Sequence, residues 1–425
     1  MTPLYPAGRC ELCSLFRAQQ RINHVQDLSV SVRDNDSFRN EIAGNRVKPV
    51  CLQKTHFSIK VPNRSLRPGL RIFASTMSSE RLNIRNLDFE QLKRWFEAAG
   101  APSFRAGQVW EWLWKKSARS FSEMTNLPLS LRQQLSETFD FPVTAIDRFQ
   151  TSRDRTIKNA FRLHDGNVVE GVLIPTETRM TACVSSQVGC SLTCKFCATG
   201  RMERVRNLEA EEIYDQVAII REQSEKEYGI PLSNIVYMGM GEPLLNYGNV
   251  LRSIERITAP DGLGMSPQRI TVSTAGIAKM IRKLGDDGVK FNLALSLHAA
   301  NDEKRSRIMP INETNTLDAL ADALNYFHMK TGTRVTLEYI VFNGFNDELR
   351  DARELETFCR RVKAKVNVIE YNPIEGGEFT NAREDKLNAF TGYLESKGII
   401  VNVRRSRGKD IDAACGQLAN KSGNR

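Results

Sequence analysis

The sequence predicts an α/β protein wound around a parallel sheet, and two patterns carry that prediction. From about residue 180, strand-like runs at 181–185, 235–238, 270–273, 291–297, 335–342 and 366–369 alternate with helical segments at 208–227, 246–257, 276–286, 317–330 and 348–363. A sixth helix-like stretch, 380–396, leads into a further apolar run at 399–403. Strand–helix repetition of this kind builds βαβ units. The second pattern is that every strand ends in small, polar or glycine-containing residues, as a rim of loops at one end of a parallel sheet requires. Six major strands are too few for an eight-fold barrel, so an open, partial barrel and a doubly wound sheet both fit.

Taken in order, the chain opens with residues 1–75, which show no sustained periodicity and are rich in Arg, Ser, Asn and Val. The formal charge of +10 is concentrated there: residues 1–77 carry twelve Lys/Arg and five Asp/Glu, a net of +7, leaving +3 for the remainder. A basic, hydroxyl-bearing, acid-poor start reads as an organelle transit peptide, chloroplast before mitochondrion, with a cytosolic extension as the alternative. No apolar run approaches about 18 residues, so no membrane span is expected. With 41% hydrophobic and 26% charged residues, the rest is ordinary globular composition.

Residues 84–140 read as a small helical domain. Asp88 can cap a helix with Leu92, Trp95 and Phe96 on one face, Gly100-Ala101-Pro102 breaks it, and a second helix carries Val109, Trp110, Leu113 and Trp114. All four tryptophans lie here, at a spacing that predicts core more than base stacking. Residues 141–178 turn to β character: runs at 157–163 and 168–174 flank Asp165-Gly166, a hairpin signal. On spacing alone, Glu170 in the second run is an outward-facing surface carboxylate. Residues 179–420 hold the strand–helix repeats and the segment that follows them.

The chemistry concentrates at Cys190, Cys194 and Cys197, three of the nine cysteines, at C-x3-C-x2-C spacing just after the first strand. Thiolates bind zinc and iron–sulfur clusters. A closed structural zinc site uses four ligands, and this loop offers three. Three cysteines on a four-iron cube leave one iron open to another ligand. Zinc with a distant fourth cysteine is the alternative. Long chains without a secretory leader do not need disulfide frameworks, so the clustered thiols read as metal or redox chemistry.

The other strand ends supply groups such a ligand would use. Gly239–Gly241 permits close backbone approach, and Glu242 beside it can accept from an ammonium group. Ser273 and Ser296 can bind a carboxylate or ribose hydroxyls, and Asn372 offers a donor and an acceptor. His298 ends the fourth strand. Together these suit an amino-acid-plus-nucleoside ligand, such as S-adenosylmethionine, over an open iron.

The three-cysteine loop, with Phe196 before its last thiol, resembles the radical S-adenosylmethionine signature, and Gly239-Met240-Gly241-Glu242-Pro243 resembles its methionine-binding turn. Ser185-Ser186-Gln187-Val188-Gly189-Cys190, Arg206-Asn207-Leu208, Ser296-Leu297-His298 and Asp410-Ile411-Asp412-Ala413-Ala414-Cys415-Gly416-Gln417-Leu418 resemble the RlmN/Cfr adenine methyltransferases over residues 84–420. The stretch Arg201–Arg206, with Glu203 and Val205, departs from the family's glycine-rich pattern. The resemblance implies a partial (β/α)6 barrel with a small N-terminal helical domain and a β-hairpin extension.

It further implies methylation of adenine C2 in large-subunit ribosomal RNA and beside the transfer RNA anticodon. C8 methylation is the close alternative, and a non-catalytic, metal-stabilised RNA-binding module the reading from a different class. Two S-adenosylmethionine molecules serve one turnover. One methylates Cys415. The other is cleaved by a reduced [4Fe-4S] cluster on Cys190, Cys194 and Cys197, and the resulting radical activates that methyl group. Glu170 matches the proton acceptor, and Cys183 the thiol that releases product by forming a disulfide. Gly241, Glu242, Ser273, Ser296, Leu297, His298 and Asn372 match cofactor contacts. Implied partners are rRNA, tRNA and a flavodoxin- or ferredoxin-type electron donor, with the chain a monomer. Arg201, Arg204 and Arg206, and Arg404, Arg405, Arg407 and Lys409, are candidate phosphate contacts.

Overall fold

The computed structural model describes residues 81–420, all within one compact unit, Thr76–Arg425. The transit-peptide expectation for residues 1–75 lies outside the described residues.

The helical unit comprises α1 (Phe89–Ala98), α2 (Phe104–Trp114) and α3 (Leu129–Thr138). Asp88 caps α1 through a reciprocal capping box with Gln91, as its position predicts. Trp95, Trp110 and Trp114 are buried; Trp112 is half-buried, its indole bonded to Asn126. Trp114 packs edge-on against Tyr214 at 5.2 Å. The aromatic cluster is core, and it docks the unit on the barrel.

Ten strands form one sheet in strict chain order: β1 (Ala145–Thr151), β2 (Ile157–Arg162), β3 (Val168–Pro175), β4 (Met180–Cys183), β5 (Asn234–Tyr237), β6 (Ile270–Thr274), β7 (Asn292–Ser296), β8 (Val335–Ile340), β9 (Ala364–Ile369) and β10 (Val401–Arg404). Strands β4 to β10 are parallel, and β1 to β4 pair antiparallel. The crossovers carry α4 (Ala210–Tyr228), α5 (Tyr247–Thr258), α6 (Ala278–Asp286), α7 (Asp302–Ile308) with α8 (Leu317–Thr331), α9 (Leu349–Arg361) and α10 (Glu384–Ser396). A doubly wound sheet needs a point where strand order reverses. This order never reverses, so the sheet is the open, partial barrel: six strand–helix units followed by β10.

The hairpin extension joins the barrel sheet, because β3 pairs with β4. One boundary differs from the sequence reading. The run after the sixth helix is a full seventh parallel strand, paired with β9 from Val366↔Val401 to Ile369↔Arg404.

Register sorts the strand residues onto two faces. Ile235, Tyr237, Val272, Leu293, Leu295, Leu337, Tyr339, Val366 and Val368 form the outer face and are almost fully buried under the helices. The opposite face carries Cys183, Val236, Ser273, Ser296, Glu338, Asn367 and Arg404. Parallel strands covered on both faces are usually apolar throughout. Here the inner face is polar, as befits a barrel left open for a ligand.

Candidate active site

The three-thiol loop leaves β4 through a sharp turn at Gly189 (φ 74°), where an added Cβ would lie 2.0 Å from the carbonyl oxygen of Glu203. Only glycine fits this position. Lys195 N–H donates to Ile308 O at the end of α7 (3.0 Å), and Ala198 N–H to Gly416 O (2.7 Å). Cys190, Cys194 and Cys197 line one cavity at the C-terminal ends of the strands, together with Gly241, Glu242, Ser273, Ser296, His298 and Cys415. Burial pushes the Cys190 thiol up to about 11 and raises Cys194 and Cys197 as well.

Among the described residues no three His, Cys, Asp or Glu side chains converge tightly enough for a single metal ion. Three soft sulfur donors spread along one cavity wall fit three corners of an iron–sulfur cube.

Glu242 is buried; its Oε2 accepts from Ala275 N–H (2.8 Å) and Oε1 from Leu244 N–H (3.1 Å). Burial raises its pKa against these hydrogen bonds. A buried carboxylate held this way is an acceptor for a ligand cation. Next to it Gly241 (φ 93°) packs so closely on Gln187 that a Cβ would lie 2.4 Å from the Gln187 Cβ. The hydroxyls of Ser273 and Ser296 face each other at 3.4 Å.

His298 has an unusual positive φ of 54° and lies edge-on to Phe196, ring centroids 4.6 Å apart. Its Nδ1 accepts from Ile340 N–H (3.2 Å), which leaves the proton on Nε2. Burial, reinforced by the Arg305 cation, depresses its pKa to about 3. His298 is therefore both the satisfied core histidine its type suggests and a neutral donor at the cavity wall. Leu297 is not brought to the cavity: its side chain is in the core, its N–H donates to Glu338 O (3.0 Å) and its carbonyl accepts from Arg305 Nε (3.2 Å).

Cys415 arrives on a tail tied down on both sides. Ahead of it, Gly408 N–H donates to Asp154 (2.8 Å), and Asp410 accepts from Ser152 and from Arg153 N–H (3.1 Å), all in the β1–β2 turn. At the cysteine, Asn372 Nδ2 donates to Cys415 O (3.1 Å), leaving the buried Asn372 Oδ1 without a partner. Behind it, Thr199 Oγ1 donates to Leu418 O (2.6 Å), and Glu170 Oε2 accepts from Ala419 N–H (2.9 Å) and Asn420 N–H (3.2 Å). Cys415 keeps an accessible edge, yet the enclosing cleft raises its thiol pKa while Arg404 opposes the shift. Cys183 is buried beside this segment, within electrostatic reach of Cys415, and is pushed up to about 12 chiefly by burial. Both are free thiols.

Glu170 is not the surface carboxylate that spacing alone suggests. It is 1% exposed, with Lys158 Nζ 3.6 Å from Oε1, because its strand is covered by the tail. The sequence reading also passed over Glu338, whose buried carboxylate lines the cavity between Asn367 Nδ2 (2.8 Å) and Arg404 (3.5 Å). A charged residue inside a strand otherwise built for burial was the available signal.

The basic clusters are largely engaged within the chain. Arg206 pairs with Asp165 and Glu212, Arg404 with Glu338, Arg405 with Glu384 and Lys409 with Glu370. Arg201 donates to the carbonyls of Glu375 and Gly376. Arg204 and Arg407 make no ion pair among the described residues.

Residues 82–140 match the model of the ribosomal RNA large subunit methyltransferase N-terminal domain, and residues 184–355 that of the radical SAM superfamily. A probable dual-specificity RNA methyltransferase RlmN of Cytophaga hutchinsonii is 61% identical over 338 residues, covering 80% of this chain and 93% of its own. The dual-specificity RNA methyltransferase RlmN of Nitratidesulfovibrio vulgaris is 46% identical, covering 79% and 94%. A crystal structure of a radical SAM methyltransferase from Sphaerobacter thermophilus superposes with a TM-score of 0.75 at 38% identity, over 79% of this chain and 99% of that one. With a matching fold, a three-thiol loop at the barrel mouth and a cysteine tail reaching into the same cavity, the chain belongs to the RlmN family of radical SAM RNA methyltransferases.

Proposed function

We propose that the chain methylates C2 of adenine in large-subunit ribosomal RNA and in transfer RNA beside the anticodon, carrying the methyl group on Cys415. The observation that supports this most is that Cys415 opens into the cavity that also holds the three loop thiols and Glu242. Adenine C2 is a poor nucleophile, so direct displacement at a sulfonium methyl is a poor route. A [4Fe-4S] cluster on Cys190, Cys194 and Cys197, when bound, would supply the electron that cleaves S-adenosylmethionine.

The remaining roles fall to side chains of this chain. Glu242 accepts from the cofactor's ammonium group, the paired hydroxyls of Ser273 and Ser296 bind its polar ends, and Nε2–H of His298 donates as a neutral group. Asn372, already bound to Cys415 O, offers its unpartnered Oδ1 to the ligand. Glu170 takes the C2 proton. The Cys183 sulfur bonds to that of Cys415 as the carbon–sulfur bond of Cys415 breaks, the freed carbon takes the Cys183 proton, and one electron would return to the cluster when bound, leaving a disulfide. Two cofactor molecules are consumed per turnover, and a flavodoxin- or ferredoxin-type protein supplies the electron. The target adenine must leave its stack to enter. Arg204 and Arg407, without carboxylate partners among the described residues, are the phosphate contacts. Residues 1–75 direct the chain to a chloroplast.

The test is mass spectrometry of ribosomal and transfer RNA from cells with and without the protein. Loss of 2-methyladenosine is expected. Unchanged methyladenosine at every site sinks the substrate reading, and chromatographic separation of the C2 and C8 isomers decides the carbon.

A further inference from the structure

Arg305 is a guanidinium buried without an anion. It is 0% exposed, on α7, and its hydrogen bonds run to neutral acceptors: Leu297 O (3.2 Å), Ser296 O (3.2 Å), Ala275 O (2.5 Å) and Asn312 Oδ1 (2.7 Å). Among the described residues no carboxylate forms an ion pair with it. Asp302 is reached only through the Asn312 amide, which donates to Asp302 Oδ1 (2.8 Å). A buried charge without a counter-ion is expensive to hold in a folded chain. Neutral donors could have bridged the same carbonyls. The charge itself therefore calls for an explanation.

The cavity wall that Arg305 braces also carries the thiol loop. Its acceptors Ala275 O and Ser296 O belong to residues that line the same cavity as Cys194. Lys195 N–H is bonded to Ile308 O, one helical turn beyond Arg305. Ile308 and Met309 pack with Phe196 in an apolar cluster against which Cys194 and Cys197 rest. Arg305 thus stands behind the loop in a dry region, where charges act on one another far more strongly than in water.

We propose that Arg305 is the built-in counter-charge of the iron–sulfur cluster, a positioning residue that favours its reduced form. The step it acts on is the uptake of one electron by the oxidised cluster from an external one-electron reductant. This adds one negative charge to the loop, and no bond to Arg305 forms or breaks. The inference rests on the assignment of Cys190, Cys194 and Cys197 as cluster ligands, but not on the RNA substrate.

The experiment is an anaerobic dithionite titration of the reconstituted full chain, followed by the electron paramagnetic resonance of the reduced cluster, with iron content measured in parallel. Arg305→Gln should load iron like the wild type but shift the reduction equilibrium at least tenfold toward the oxidised form, about 59 mV lower for one electron. Arg305→Lys keeps the charge without the fork and should stay within about threefold. Should Arg305→Gln not take up iron, Asn312→Asp sets a carboxylate against the guanidinium and should lower the potential in the same direction. A loaded Arg305→Gln or Asn312→Asp variant with wild-type potential overturns the proposal. So does Arg305→Lys shifting as far as Arg305→Gln, which marks a staple for the strand ends only. A wild-type chain that binds no iron overturns the cluster assignment instead, so the two failures are distinct.

Discussion

Glu170 Oε2 accepts a hydrogen bond from the backbone N–H of Ala419 at 2.9 Å, four residues beyond Cys415. The side chain proposed to take the C2 proton is thus also an anchor of the tail proposed to carry the methyl group. A neutral amide can still accept one N–H at this position, and a methyl group cannot. Glu170→Gln should therefore keep amide protection at Ala419 and Asn420 within a few-fold of the wild type, while Glu170→Ala should lose tenfold or more. Residue-resolved hydrogen exchange checks this. Equal protection in both variants would show that the tail does not depend on Glu170. In activity, Glu170→Gln should stall after RNA becomes attached to Cys415, so the two roles separate in one pair of variants.

Cys183→Ala should trap RNA on Cys415, seen as a gel-shifted, nuclease-trimmed adduct by mass spectrometry. A clean protein after turnover would count against Cys183 as the releasing thiol. The wild type adds a pH signature. Burial holds the Cys183 thiol up near 12, so its thiolate is scarce at neutral pH. The thiolate is the attacking species. Release of the adduct should accelerate close to tenfold per pH unit between pH 7 and 9, with no plateau in that range. A flat profile would mean that another group removes the proton or that a different step limits release.

The strand–helix rhythm was legible because helical and strand periods differ, and the rim residues followed from it. What periodicity missed depends on neighbours distant in sequence. Glu170 looked exposed because alternation assigns a face without saying what covers it, and Ala419 and Asn420 lie some 250 residues away. The helix Asp302–Ile308 was missed because it is only seven residues long, and Arg305 with it. The seventh strand, Val401–Arg404, is short and mostly exposed, so its apolar run gave no clear terminus. The basic clusters were visible as charge, but whether a carboxylate sits opposite is decided by folding. Glu338 could have been found. In Val335–Ile340 it is the one charge among apolar and β-branched residues, and pairing it with Ser296 in the next strand points it at the cavity.

His298 predicts an acid sensitivity with a definite sign. Its ordinary pKa of 6.5 is depressed to about 3 by burial and by Arg305. Below about pH 6.5 the unfolded chain takes up a proton that the folded chain refuses, so folding stability falls as pH drops, by about 1.4 kcal/mol per unit from this group, until the folded pKa is reached. His298→Gln retains an acceptor for Ile340 N–H without the titration. Urea unfolding of cluster-free protein at pH 7.5 and pH 5 should show the variant losing about 2 kcal/mol less than the wild type between the two conditions. Equal losses would mean that His298 takes up a proton in the folded chain at pH 5 as readily as in the unfolded chain.

The docking of the helical unit depends on Arg85, 2% exposed just before α1. Its guanidinium meets Asp215 of α4 through two contacts, Nη1–Oδ1 at 2.6 Å and Nη2–Oδ2 at 3.1 Å, and also donates to Pro142 O. Asp215 Oδ2 further accepts from Thr144 N–H (3.0 Å), so one carboxylate joins the helical unit, the start of the hairpin and the barrel. Breaking one partner of a buried pair strands the other charge and costs about 3–5 kcal/mol, whereas replacing both can be nearly neutral. Asp215→Ala should destabilise the protein by about that amount, and Arg85→Met with Asp215→Leu by much less than the sum of the single changes. Denaturant unfolding of the four proteins measures the cycle. A double variant as unstable as the sum would mean that Arg85 and Asp215 act independently of one another.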